Sequence, residues 1–173
     1  MRRTVVIGAF LAALFLPAGA LALQGADGDG TLVVQNGAAP RGVAVVTLVI
    51  HGAAIGQIAG FGKVVIDDPT PTDANTPEVS GYNWHRLTGV TEDTWGGTNL
   101  RFRAVGGTYK ITIYGQGVDL VASGQGTVLL AGSPDMPTTD GRYSVNGQDF
   151  RSLPATPTKP LRISAPASSF ATG

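Results

Sequence analysis

The sequence predicts an all-β fold, an antiparallel β-sandwich, and three observations carry that prediction. Glycine accounts for 25 of the 173 residues. A glycine inside a helix or strand costs roughly 0.5–1 kcal/mol relative to alanine, so this many suit turns and bulges between strands, not helix interiors. Beyond the N-terminus no helix-length stretch repeats apolar residues at i, i+3 and i+4. Alternation with period two recurs instead, as where Leu100, Phe102 and Ala104 alternate with Arg101 and Arg103. The third observation is an echo. "VIHGAAIGQIAGFGKVVI" at 49–66 resembles "TIYGQGVDLVASGQGTVLL" at 112–130, so that Gly52 matches Gly115 and Gly60 and Gly62 match Gly124 and Gly126.

The echo predicts two duplicated four-stranded meanders, copies of about 30–68 and 97–132. Strands are expected near 31–36, 43–51, 54–59 and 63–68, then near 99–105, 108–114, 117–122 and 127–131. Short connections favour antiparallel neighbours. Two such units can stack as a sandwich or close into one eight-stranded barrel, and both arrangements stay open at this level. Alternation places Tyr109, Ile111 and Ile113 inside, opposed by Lys110 and Thr112. Arg101, Arg103 and Lys110 are then expected on an outer face, either keeping the sheet soluble or meeting an anionic wall polymer or an acidic partner. "YSVNGQDF" at 143–150 carries an Asn-Gly turn signal and predicts a hairpin within 142–152.

The first 22 residues read as a signal peptide. Arg2 and Arg3 precede an apolar run, and Ala20 and Ala22 fit a signal-peptidase site. The run from Thr4 to Leu16 is shorter than the ~20 residues a spanning helix needs, so no membrane span is expected after cleavage. The remainder divides into a single β domain, 23–152, and a loose Pro/Ser/Ala-rich tail, 153–173. Within that tail "LPAT" lacks the glycine of a sortase signal. The expected location is secreted or at the cell envelope. Removal of Arg2 and Arg3 leaves ten basic and twelve acidic residues, a balance that gives no footprint for nucleic acid. The chain has no cysteine, so stability must come from the core without disulfides.

The linker, 69–96, is long for a compact domain, and long loops are often functional. It holds both tryptophans, Trp84 and Trp95, beside Tyr82 and His85. Tyr82, Trp84 and Trp95 are the candidate ligand-binding residues, because rings on a surface stack on the apolar faces of sugars. The competing reading is a plug, since each ring buries about 150–250 Å². Asp67, Asp68 and Asp73 are candidate metal ligands, as hard cations take several oxygens, although the spacing matches no EF-hand. The same carboxylates also suit a solvated turn.

Catalytic signals are missing. The two histidines, His51 and His85, form no H-E-x-x-H pattern. No G-x-S-x-G elbow or phosphate-binding loop occurs. The expectation is therefore a non-enzymatic domain without cofactor that binds a cell-wall glycan through the linker aromatics. The alternative is a structural or protein-interaction module of the envelope, and the minor alternative a secreted hydrolase.

Three segments carry a resemblance: Asp67–Asp68–Pro69, "GTNLRFR" at 97–103, and "YSVNG" at 143–147. With them the chain resembles a group of uncharacterised exported Gly-rich all-β proteins of actinobacteria. The resemblance spans about 30–150 and implies export and β structure, with no activity or site residues to carry over.

Overall fold

The computed structural model describes residues 28–36, 43–132 and 141–165; the expected signal peptide lies outside them. The described residues contain strands and no helix. In chain order these are β1 (Gly30–Gln35), β2 (Ala44–Asp67), β3 (Glu78–Ser80), β4 (Trp84–Leu87), β5 (Glu92–Gly115), β6 (Val118–Ala131), β7 (Arg142–Val145), β8 (Arg151–Ser152) and β9 (Leu161–Ile163). All pairings are antiparallel. They join the nine strands into one sheet ordered β3-β5-β2-β6-β1-β7-β8, with β4 added to β5 and β9 to β6. The all-β antiparallel prediction holds. The sheet is not closed into a barrel: it ends in the short strands β3, β4, β8 and β9, which present little unpaired edge.

The expected breaks at glycine are bends within long strands. β2 and β5 each run 24 residues and pair along their length, from Ala44 opposite Gly115 to Asp67 opposite Glu92. One row of glycines crosses four neighbouring strands: Gly30 faces Gly124, Gly124 faces Gly52, and Gly52 faces Gly107. Without side chains in that row the backbones approach closely and the sheet turns a corner. The ribbon of β2 and β5 coils further. Gly62–Asp67 pairs with Glu92–Gly97 on one side and with Lys110–Gly115 on the other.

β2 keeps one phase throughout, with Val46, Leu48, Ile50, Ala54, Ile58, Val64 and Ile66 all buried. β5 shifts phase twice, at Asn99 (φ 61°) and Gly106 (φ 83°). Both are left-handed and mark β-bulges: Gly106 is an extra residue of β5, whereas Asn99 stands opposite two residues of β2, Ala59 and Gly60. Hence Leu100, Phe102 and Ala104 point inward between the bulges, and Tyr109, Ile111 and Ile113 point inward after them. Arg101 and Arg103 are thereby turned out. The two echoing stretches follow different paths at their matched glycines. The chain runs on through Gly52 as one strand, whereas after Gly115 it leaves the strand for Gln116–Gly117, whose carbonyls accept from the Gly60 and Ala59 amides, and then continues in the same direction along β2 as β6. The matched positions also differ in burial: Ile55 is 38% exposed while its counterpart Val118 is fully buried.

One apolar cluster fills the fold, drawn from β1, β2, β5, β6, β7 and β9. The Asn-Gly hairpin forms as predicted. Asn146 (φ 55°) and Gly147 (φ 70°) both take positive φ, as a type I′ turn requires, and the Gln148 amide donates to the Val145 carbonyl at 3.1 Å. This hairpin continues the sheet beyond β1.

The tail expected to be loose from Leu153 onward is instead packed as far as it is described. Leu153 is 1% exposed and Ile163 is fully buried. Leu161–Ile163 pairs with Gly126–Val128 of β6. The Asn146 side chain clamps this strand, donating to the Arg162 carbonyl at 3.0 Å and accepting from the Ser164 amide at 3.2 Å. Composition pointed to disorder, but two buried apolar side chains and an available edge of β6 outweigh it.

Candidate functional site

Three regions were expected to carry function: the linker aromatics, the Asp67–Asp73 turn and the outward arginines.

The aromatics do not form one surface. β4 pairs with β5 so that Trp84 faces Gly96 and His85 faces Trp95. Neighbouring residues of a strand point to opposite sides, so Trp84 and Trp95 belong to opposite faces of the sheet. Trp95 is 9% exposed and part of the core. The His85 imidazole stacks on it at 5.0 Å with the planes 8° apart, and Tyr82 leans on His85 at 6.1 Å. His85 Nε2 also meets Asp93 Oδ1 at 3.0 Å. On the other face, the Trp84 indole occupies the space where a side chain at Gly96 would begin. The ring shields that glycine, an arrangement known to strengthen sheet margins. Tyr82 and Trp84 remain about half exposed. The expected three-ring platform is thus divided: Trp95 plugs the core, Tyr82 caps it through His85, and Trp84 lies alone behind them.

The carboxylates of the turn serve the backbone. Asp68 is 5% exposed, and its Oδ1 accepts from the Thr70 amide at 3.0 Å. The Thr70 hydroxyl donates to Asp73 Oδ2 at 2.9 Å, and the Asn75 amide to Asp73 Oδ1 at 2.7 Å. These two donors, the Asn75 amide foremost, hold the Asp73 carboxyl below its ordinary pKa. Asp67 stands apart, in β2 between Glu92 and Lys110. Among the described residues no group of three or more His, Cys, Asp or Glu side chains is placed to hold a metal ion.

The outward arginines do meet a shaped surface. Where β3, β5, β2, β6 and β1 lie side by side, their outer face is hollowed, with a volume of about 610 Å³, within the usual range for ligand sites of about 300–1,000 Å³. Strand register builds it from two outward rows. One row runs Glu78, Arg103, Ile55, Val121, Val33, and the other Ser80, Arg101, Gln57, Asp119, Gln35. Both rows line the hollow, together with the residues between them. The inward-facing Ala54, Ala104 and Ala122 take no part in it, so the hollow opens outside the core. Lys110, expected beside the arginines, is past the Gly106 bulge. It faces Val49 and Asp67 and does not line the hollow.

Three members of the polar row, Gln57, Asp119 and Gln35, each hold a hydrogen bond within the protein. Gln57 donates to Asp119 at 2.9 Å, and Arg142 Nε donates to Gln35 at 2.9 Å. Among the described residues the ion pair within 4 Å is His85–Asp93, so Arg101 and Arg103 have no carboxylate at that distance. Sequence alternation already marked the two arginines as exposed. It did not reveal Ile55, Val121 or Val33 beside them, because those come from three other strands and meet only through the register.

Comparison with protein-family models, with curated proteins and with solved structures finds no match to this chain.

Proposed function

We propose that this protein is a non-enzymatic binding domain, exported to act at or outside the cell envelope, and that its ligand lies in the hollow on the outer face of β3, β5, β2, β6 and β1. The observation that carries this reading is the pair Arg101 and Arg103, which among the described residues have no carboxylate within 4 Å and which stand beside exposed Ile55. Charges that merely keep a sheet soluble need no hollow and no apolar floor. Export rests on the N-terminal segment, with Arg2, Arg3 and the small residues before position 23. The test is amide-shift mapping by NMR during titration with a soluble envelope extract. Shifts are expected at 55–57, 101–103 and 119–121. An extract that moves none of these amides would remove the reading.

A second reading, glycan binding at the linker, is supported by the half-exposed rings of Tyr82 and Trp84. It predicts shifts at 82–86 and 96 instead, with protection of Trp84 from acrylamide.

A further inference from the structure

The hollow has a division of labour that narrows the chemistry of its ligand. We infer that it takes a single-chain amphiphilic anion, with a carboxylate or phosphate head on Arg101 and Arg103 and an aliphatic body across Ile55, Val121 and Val33. This rests on the proposal that the hollow is a binding site.

The head position follows from charge. Arg101 and Arg103 are alternate residues of one strand segment, about 7 Å apart, and both line the hollow. A guanidinium offers a planar fork of donors suited to carboxylate and phosphate. Glu78 faces Arg103 in the register yet lies beyond 4 Å from it. Its charge competes with an incoming anion without occupying the site.

The body follows from what remains. From Arg103 the row continues over Ile55, Val121 and Val33 on three successive strands. Strands are spaced about 4.8 Å apart, so this apolar strip extends about 14 Å from the arginine. In the parallel wall Gln57, Asp119 and Gln35 each already hold one hydrogen bond within the protein. A sugar chain laid along Ile55, Val121 and Val33 would bring many hydroxyls and meet no polar side chain on that strip, and an unmatched polar group loses its water for nothing. An aliphatic chain makes no such demand. It gains roughly 0.8 kcal/mol for each methylene that is buried.

The test is calorimetric titration of the protein with dodecanoate and with dodecyl phosphate, both below their micelle concentrations. Tetragalacturonate serves as an anionic ligand without an aliphatic body. Saturable one-to-one binding of either amphiphile is expected, and the better of the two names the head group. Arg101→Gln with Arg103→Gln should weaken it about tenfold or more, Ile55→Ser should also weaken it, and Glu78→Gln should tighten it. All these positions face outward, and circular dichroism is to check that each variant is folded. If tetragalacturonate binds at these arginines and the amphiphiles do not, the inference fails while the hollow stands as a binding site. If neither class binds, or the amphiphiles bind equally well without the arginines, the inference fails, and in the former case the anion-binding hollow fails with it.

Discussion

Gly52 lies directly opposite Gly124 where β2 pairs with β6, and each occupies space that a side chain on the other would need. A methyl at Gly124 would run into the His51 carbonyl, and one at Gly52 into the Ser123 carbonyl. Both have strongly positive φ, 149° and 148°, where side chains are strained in any case. The corner of the sheet therefore depends on the absence of two side chains.

Gly124→Ala should destabilise the fold by about 3 kcal/mol or more, since it adds a backbone collision to the conformational cost. Gly147→Ala is the control. Gly147 also has positive φ, 70°, but nothing lies within 4 Å of an added Cβ, so only the conformational cost of about 1–2 kcal/mol applies. Urea unfolding midpoints compare the two. Equal losses would mean that the corner is not closely packed.

The tryptophans should report two environments. With Trp84→Phe, the remaining Trp95 emission should be blue-shifted and poorly quenched by acrylamide. With Trp95→Phe, the remaining Trp84 should be readily quenched, as its 44% exposure against 9% implies. Trp95→Ala should cost about 3–5 kcal/mol, and Trp84→Ala much less. Matching quenching constants for the two single-tryptophan proteins would contradict the division of the aromatics between two faces.

Ile163→Ala should cost about 2–4 kcal/mol, because it empties a fully buried site. Ending the chain at Ser152 should be more damaging. It removes Leu153 and Ile163 together and bares the edge of β6 at Gly126–Val128. A shortened protein with an unchanged melting temperature would show that the tail does not pack.

Tyr109 should set an alkaline limit on stability. Its hydroxyl donates to the Asn75 carbonyl at 2.6 Å. Burial raises its pKa above the ordinary value of 10.0, and the Asp68 and Asp73 carboxylates raise it further. The folded state thus holds this proton more tightly than the unfolded state. The stabilisation is complete below pH ~10, and is lost as pH rises through the raised value. Spectrophotometric titration should show one of the four tyrosines ionising late or only on unfolding. Tyr109→Phe should flatten the fall in stability above pH ~10, at the cost of about 1 kcal/mol from the lost hydrogen bond.

The sequence showed some features well because they are local. Alternation identified Leu100, Phe102 and Ala104 as inward and Arg101 and Arg103 as outward, and the Asn146–Gly147 pair named its own turn. Other features depended on distant partners. Glycine reads like a chain reversal, yet the chain continues through Gly52 and again past Gly115; what stands across the sheet decides which it is. The tail looked loose because composition does not disclose that β6 offers an edge to Leu161–Ile163.

The same boundary separates the candidate sites. Period-two alternation and glycine content alone determined that this chain is all β, and alternation also set which arginines reach solvent. Local sequence also named the aromatic and acidic clusters. Tertiary structure decided what those clusters amount to. The pairing of β4 with β5 sent Trp84 and Trp95 to opposite faces, and the turn drew Asp68 and Asp73 into its own hydrogen bonds. Strand register also brought Arg101 and Arg103 alongside Ile55, Val121 and Val33, residues separated by up to 88 positions in the chain. Strand direction is a property of neighbours in sequence, whereas a binding surface on a sheet is a property of register, which only the folded chain establishes.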